Sequence, residues 1–132
     1  MIRATDVRKA ALAKIDEMPA GEELDRFIVR EAFQLDVEAP DLIARYSQRD
    51  SFALTVLKEI NNEFGADITI MPDGRTEVTL RWQPANWDPE HFAPSVRIVG
   101  RGDTFALAVC RAAAKKALMD KWQGEEFGDK SG

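Results

Sequence analysis

The single histidine, His91, lies in the stretch Trp87-Asp88-Pro89-Glu90-His91-Phe92, where a carboxylate next to an imidazole supplies the parts of a general acid/base pair. The same stretch reads equally well as an ordered loop with a surface histidine. The single cysteine, Cys110, falls on the apolar side of a helical pattern, where a free thiol acts as a small hydrophobe. Ser47 and Ser51 are accounted for as helix caps. Glu22, Glu23 and Asp25 form a carboxylate cluster, but acids at a helix start are stabilised by the positive end of the helix dipole. No residue is therefore assigned a catalytic role, and the chain is read as not an enzyme. One histidine and one cysteine also exclude multi-His and all-Cys metal sites, so neither metal nor cofactor is expected.

Binding chemistry has more material. Arg81, Trp87, His91, Arg97 and Arg101 combine guanidinium groups with aromatic rings, the parts of a platform for a small nucleotide. Trp82 shares alternation with Val78 and Leu80 and is read as core, which leaves Trp87 as the aromatic contact. Gly100-Arg101-Gly102-Asp103 sits between a strand pattern and a helix pattern, where helix N–H groups could hold an anion with Arg101 as helper. It lacks the Walker and Rossmann spacings, and a carboxylate at the cap would compete with phosphate.

These residues need elements to position them. A first helix is expected from a cap at Thr5 to Met18, with Val7, Ala11, Ile15 and Met18 on one side and Arg3, Arg8, Lys9 and Lys14 on the other. Pro19-Ala20-Gly21 ends it. A second helix spans about Glu22 to Gln34, with Leu24, Phe27, Ile28 and Ala32 as its apolar stripe, and Asp36 to Pro40 is a connector. Ser47-Gln48-Arg49-Asp50 has the form of a capping box for a third helix carrying Phe52, Ala53, Val56, Leu57, Ile60 and Phe64, stopped by Gly65. The period then changes to two. Ile68 and Ile70 alternate with polar residues, Pro72-Asp73-Gly74-Arg75 is a turn, and Thr76, Val78, Leu80 and Trp82 alternate again. After a loop from Gln83 to Pro94, Ser95 to Val99 is a third strand, ended by Gly100-Arg101-Gly102. A last helix, capped by Asp103, runs to about Trp122. Its Leu107, Cys110, Ala114, Ala117 and Leu118 form one side, and Ala106, Ala112 and Ala113 allow close packing on a sheet.

The fold class expected is α+β, an αβα sandwich in the order α-α-α-β-β-β-α. At 132 residues, 45 % of them apolar, one globular domain is expected. It covers residues 1–122, with 1–18 an added N-terminal helix and 123–132 a flexible tail. Lys plus Arg is 18 and Asp plus Glu is 23, a net charge of −5, so the global basic footprint of a nucleic-acid binder is absent. A lone cysteine suits a reducing compartment, no apolar run approaches the roughly 18 residues of a membrane span, and no signal-peptide core is seen. A cytoplasmic protein without membrane contact is expected.

Two resemblances bear on function. The order helix, three antiparallel strands, helix over Ser47 to Leu118 is similar to that of double-stranded RNA-binding domains. The last helix, with Ala112-Ala113-Ala114-Lys115-Lys116-Ala117-Leu118, looks like that family's second helix. That family binds phosphate with lysines at the start of this helix, where this chain has Asp103-Thr104-Phe105-Ala106-Leu107. Nucleic acid is accordingly not an expected partner.

The second resemblance covers about Met18 to Met119. Gly21-Glu22-Glu23-Leu24-Asp25 resembles the opening Gly-x-Glu-Leu-Asp of the phage ABA sandwich domain family. Tyr46-Ser47 before an amphipathic helix resembles its Tyr-Ser step, and Ala106 to Ala114, with Ala-Val-Cys-Arg-Ala-Ala at its centre, resembles its closing helix. This implies a small phage or prophage protein of the host cytoplasm with helices on both faces of an antiparallel sheet. It transfers no enzymatic mechanism. The leading functional expectation is a non-enzymatic accessory protein that binds a host protein, with a homodimer through the first helix or a sheet edge as a further expectation. The alternative is a binder that sequesters a small nucleotide signal.

Overall fold

A computed structural model of the chain describes residues 4–33, 45–60, 65–82 and 96–128. Helix α1 (Ala4–Glu17) is followed by α2 (Glu22–Phe27), which continues as a π-helical turn, Ile28–Ala32, closed by the Phe33 N–H donating to the Ile28 carbonyl at 3.1 Å. Then come α3 (Asp50–Ile60), strands β1 (Ala66–Ile70), β2 (Thr76–Trp82) and β3 (Val96–Gly102), and α4 (Phe105–Gly128). The class is α+β, and the order of elements is the one the sequence patterns imply.

The three strands form an antiparallel meander in the order β1-β2-β3. The β1–β2 connection is a three-residue loop. Pro72 supplies the constrained φ, and Gly74 sits at φ +96°, a conformation a side chain would strain. The Gly74 N–H donates to the Met71 carbonyl at 2.9 Å, and the Met71 N–H donates to the Arg75 carbonyl at 2.7 Å. The Arg75 N–H, donating to Asp73 Oδ1 at 3.1 Å, is the main reason the Asp73 carboxyl is held below its ordinary range.

Helix α4 is the hub. Ala106, Ala108, Val109, Cys110, Ala112, Ala113 and Ala114 are all buried, so its central turns are apolar around most of their circumference, as a helix packed on two sides requires. One side lies on β3 and β2, over Val78, Leu80 and Ile98. The other side meets α3, the π turn, α2 and α1. The layers run sheet, α4, N-terminal helices, so the second helical layer lies behind α4. The sheet's opposite face carries Asp67, Glu77, Arg81, Arg97 and Arg101.

Gly100 and Gly102, expected to end the third strand, belong to it. A Cβ on Gly100 would lie within 3.0 Å of the Ala108 carbonyl oxygen and the Ala112 amide nitrogen, both backbone atoms of α4. One on Gly102 would lie 2.8 Å from Leu107 Cγ and 2.9 Å from the Ala108 nitrogen. The alternating glycines are the floor on which the alanine-rich helix rests.

Other expectations are adjusted. α1 starts at Ala4, one residue before the expected cap at Thr5, an ordinary spread for helix boundaries. Its Ile15 and Met18 join the core of this same chain, while Val7 is exposed. α4 is capped by Thr104, whose Oγ1 accepts the Leu107 N–H at 3.2 Å, and not by the exposed Asp103. It also continues past Trp122 to Gly128, because Gln, Glu and Glu around Gly124 favour helix enough to carry one glycine. The 36–40 connector, Phe64, the 83–94 loop and residues 129–132 lie outside the described residues, as does the Trp82 side chain.

Candidate functional site

The fold brings three of the five proposed ligand residues to one face of the sheet. Arg81 and Arg97 are directly opposite each other on β2 and β3, and Arg101 is opposite Glu77. Arg101 Nε donates to Glu77 Oε2 at 2.8 Å, and this contact raises the arginine's pKa above its usual value. Trp87 and His91 lie outside the described residues, together with Asp88 and Glu90.

Arg101 also borders a cleft of about 400 Å³ at the end of the sheet, where the β1–β2 loop meets the start of α4. Arg75, Arg111, Glu77, Asp103 and Thr69 share its lining. Much of this charge is already engaged. Arg75 pairs with Asp73 at 2.7 Å. Arg111 donates from Nη2 and Nε to the Met18 carbonyl, at 2.9 and 3.3 Å, and from Nη1 to the Arg101 carbonyl at 2.7 Å. Arg111 thus ties the end of the first helical segment to β3 through α4. The anion position at the start of α4 is filled from within, since the Ala106 N–H donates to Asp50 Oδ1 at 3.2 Å. That carboxylate takes the role the sequence suggested for a bound phosphate.

The lysines of α4 are engaged as well. Lys115 Nζ donates to the Val99 carbonyl at 2.7 Å and pairs with Asp16 at 2.6 Å, its side chain only 13 % exposed. Lys116 pairs with Asp120, one turn on. In this chain both lysines serve contacts of the fold.

Ser47 does not cap α3. It belongs to a buried polar cluster centred on Asp25, which is 2 % exposed. The Ser47 N–H and hydroxyl donate to Asp25 Oδ1 at 2.7 and 2.6 Å, and Gln48 Nε2 donates to Oδ2 at 2.8 Å. The Gly21 N–H donates to Ser47 Oγ at 2.9 Å. Asp25 is thus a structural acceptor, whereas Glu22 keeps the surface role expected of it and pairs with Arg26 at 2.7 Å. Cys110 is close enough to Asp25 to respond to its charge. Burial first, and that carboxylate second, push the thiol far above its ordinary range, so it is protonated and a poor nucleophile. Burial, then Cys110, then Asp25 raise the Tyr46 phenol in the same way. The three segments that suggested a family resemblance, Gly21–Asp25, Tyr46–Ser47 and the middle of α4, are therefore neighbours around one cluster. Among the described residues no buried side-chain nitrogen or oxygen lacks a partner, and no group of three or more potential metal ligands occurs.

Strand β1 is the feature that sequence patterning missed. Ile68 and Ile70 share the sheet face of Val78 and Leu80, but α4 covers only β2 and β3. Ile68 is 38 % exposed, Ile70 61 % and Met71 45 %. An exposed apolar strand at the end of a sheet has backbone groups and side chains available for another chain. Among the described residues, no helix is long and apolar enough to cross a membrane. Compared with protein-family models, curated proteins and solved structures, the chain matches none.

Proposed function

We propose that this is a non-enzymatic accessory protein of phage or prophage origin that works in the host cytoplasm by binding another protein, with β1 as its contact strand. The observation that carries the reading is the edge of β1, which no strand pairs among the described residues and where Ile68, Ile70 and Met71 are exposed. Strand addition at such an edge draws affinity from main-chain hydrogen bonds and specificity from alternate side chains. Two of the three side chains weighed as nucleophiles support it too, because the Ser47 hydroxyl and the Cys110 thiol are engaged in the core. The resemblance to the phage ABA sandwich family supports the biological setting, through the convergence of its three segments around Asp25.

A second reading, a small anionic ligand such as a nucleotide, is favoured by the arginine-bordered cleft at Arg75, Arg101 and Arg111. Native mass spectrometry after incubation with host lysate separates the two. A protein-sized adduct on the wild type that disappears with Ile70→Lys is the expected result. An adduct below about 1 kDa that survives Ile70→Lys and is lost with Arg101→Glu would replace the protein-binding reading with the ligand one.

A further inference from the structure

The edge of β1 has a self-complementary register. The Met71 N–H donates across to the Arg75 carbonyl, so Met71 and Arg75 are a hydrogen-bonded pair of the β1–β2 ladder. Such pairs alternate along antiparallel strands, so Asp67 and Thr69 also direct their N–H and C=O groups toward β2. Ala66, Ile68 and Ile70 direct theirs outward, and no strand pairs with that edge among the described residues.

We propose that β1 pairs antiparallel with β1 of a second copy of this chain about a two-fold axis through Ile68, joining two three-stranded sheets into one. In this register Ile68 meets Ile68 of the second copy, and Ala66 meets Ile70 on either side. Every outward backbone group of Ala66, Ile68 and Ile70 then has a partner, in three pairs that each exchange two bonds. Asp67 meets Thr69 of the second copy, so no charge faces a like charge. Neighbouring registers are worse. An axis through Asp67 sets two carboxylates directly opposite each other, which is destabilising. An axis through Thr69 puts Ala66 opposite Pro72, which has no N–H to donate. The Ile68 and Ile70 side chains of the two copies would close into one apolar patch where each now meets water. β1 also has no lysine, arginine or proline, the usual guards against edge pairing, whereas the other edge strand, β3, carries Arg97 and Arg101. A two-fold contact of this kind is the commonest form of oligomer symmetry.

The proposal rests on β1 being the contact strand: the second copy holds this edge in the free protein, and the host protein takes its place on binding. Sedimentation velocity on the full chain should give twice the 14.8 kDa chain mass at micromolar concentration. Ile68→Pro removes the central outward N–H while leaving the β1–β2 ladder, and Ile70→Lys adds a charge on the seam. Both should sediment as monomers with wild-type circular dichroism. Ile68→Cys should oxidise to a covalent dimer, since hydrogen-bonded antiparallel pairs have Cα atoms about 5.5 Å apart, within disulfide reach. Asp67→Cys should not, because the two copies of that position are offset by two residues along the strands. A monomeric wild type at hundreds of micromolar, a dimer that survives both seam variants, or equal cross-linking of Asp67→Cys would each overturn the pairing. A monomer that still loses its host-protein adduct on Ile70→Lys defeats the pairing and keeps the host-binding reading. A dimer whose adduct ignores Ile70→Lys does the reverse.

Discussion

Gly100→Ala adds a single methyl group at a place where α4 leaves no room for it. The new Cβ would come closer than 3.0 Å to the Ala108 carbonyl oxygen and the Ala112 amide nitrogen, and would lie 2.8 Å from Ala112 Cβ. Two of these three atoms are backbone and cannot rotate away, so the helix must retreat from β3 by several tenths of an ångström. That retreat is shared by the contacts of α4 with Val78, Leu80 and Ile98 on one side and with α3 on the other. Overpacking a dense core by one methyl typically costs about 1–3 kcal/mol, and the rigid neighbours place this site at the upper end. Relief of the glycine penalty in a strand returns only about 0.5–1 kcal/mol. The expected net loss is about 2 kcal/mol, read as a lower urea midpoint with an unchanged slope. Gly102→Ala should cost less, because one of its two near neighbours is the movable Leu107 side chain. Adding Ala112→Gly to Gly100→Ala should not restore stability, since the Ala108 oxygen stays in the way and a helical glycine costs about 1 kcal/mol of its own. A Gly100→Ala midpoint within error of wild type, or full rescue by Ala112→Gly, would refute the view that backbone contact sets the helix-to-sheet distance.

Two further predictions follow from the buried cluster. Asp25→Ala should destabilise by about 3 kcal/mol or more in urea unfolding, because it strands the Ser47 N–H and hydroxyl and the Gln48 amide, and bonds to a charged acceptor are worth about 1.5–3 kcal/mol each. Glu23→Ala, at an exposed position, should stay within about 0.5 kcal/mol. The raised Cys110 pKa means that the folded state keeps a proton that the unfolded thiol gives up above about pH 9. Stability from this source is complete below that pH and declines as pH rises, by up to about 1.4 kcal/mol per unit. Urea unfolding at pH 7.5, 9 and 10 should show a steeper decline for wild type than for Cys110→Ala, and parallel declines would refute the assignment.

What the order of residues encodes on its own is local. A change of period from helical to two at Asp67, the Pro72-Asp73-Gly74 turn and the small-residue run of α4 each encode an element through neighbours in the chain, and these elements form as expected. Asp25 shows where that reasoning stops. As one of three acids in a first helical turn it is indistinguishable from Glu22 and Glu23, yet helical rotation places it inward beside Leu24, where Ser47, 22 residues on, meets it. Ser47 is a fit cap by its local spacing and instead donates across the core, because a buried carboxylate needs donors more than a solvated helix end needs a cap. The glycines of β3 read as a strand end, and only the approach of α4 gives them their purpose. For the candidate binding residues, alternation set Arg81 on the polar side of its strand, but its sharing of one face with Arg97 and Arg101, and the Glu77 partner of Arg101, follow from strand register, which no single strand encodes. The exposure of β1 was the least legible feature. Ile68 and Ile70 alternate just as Val78 and Leu80 do, and the difference is that one helix is wide enough to cover two strands of the sheet and leaves the third open.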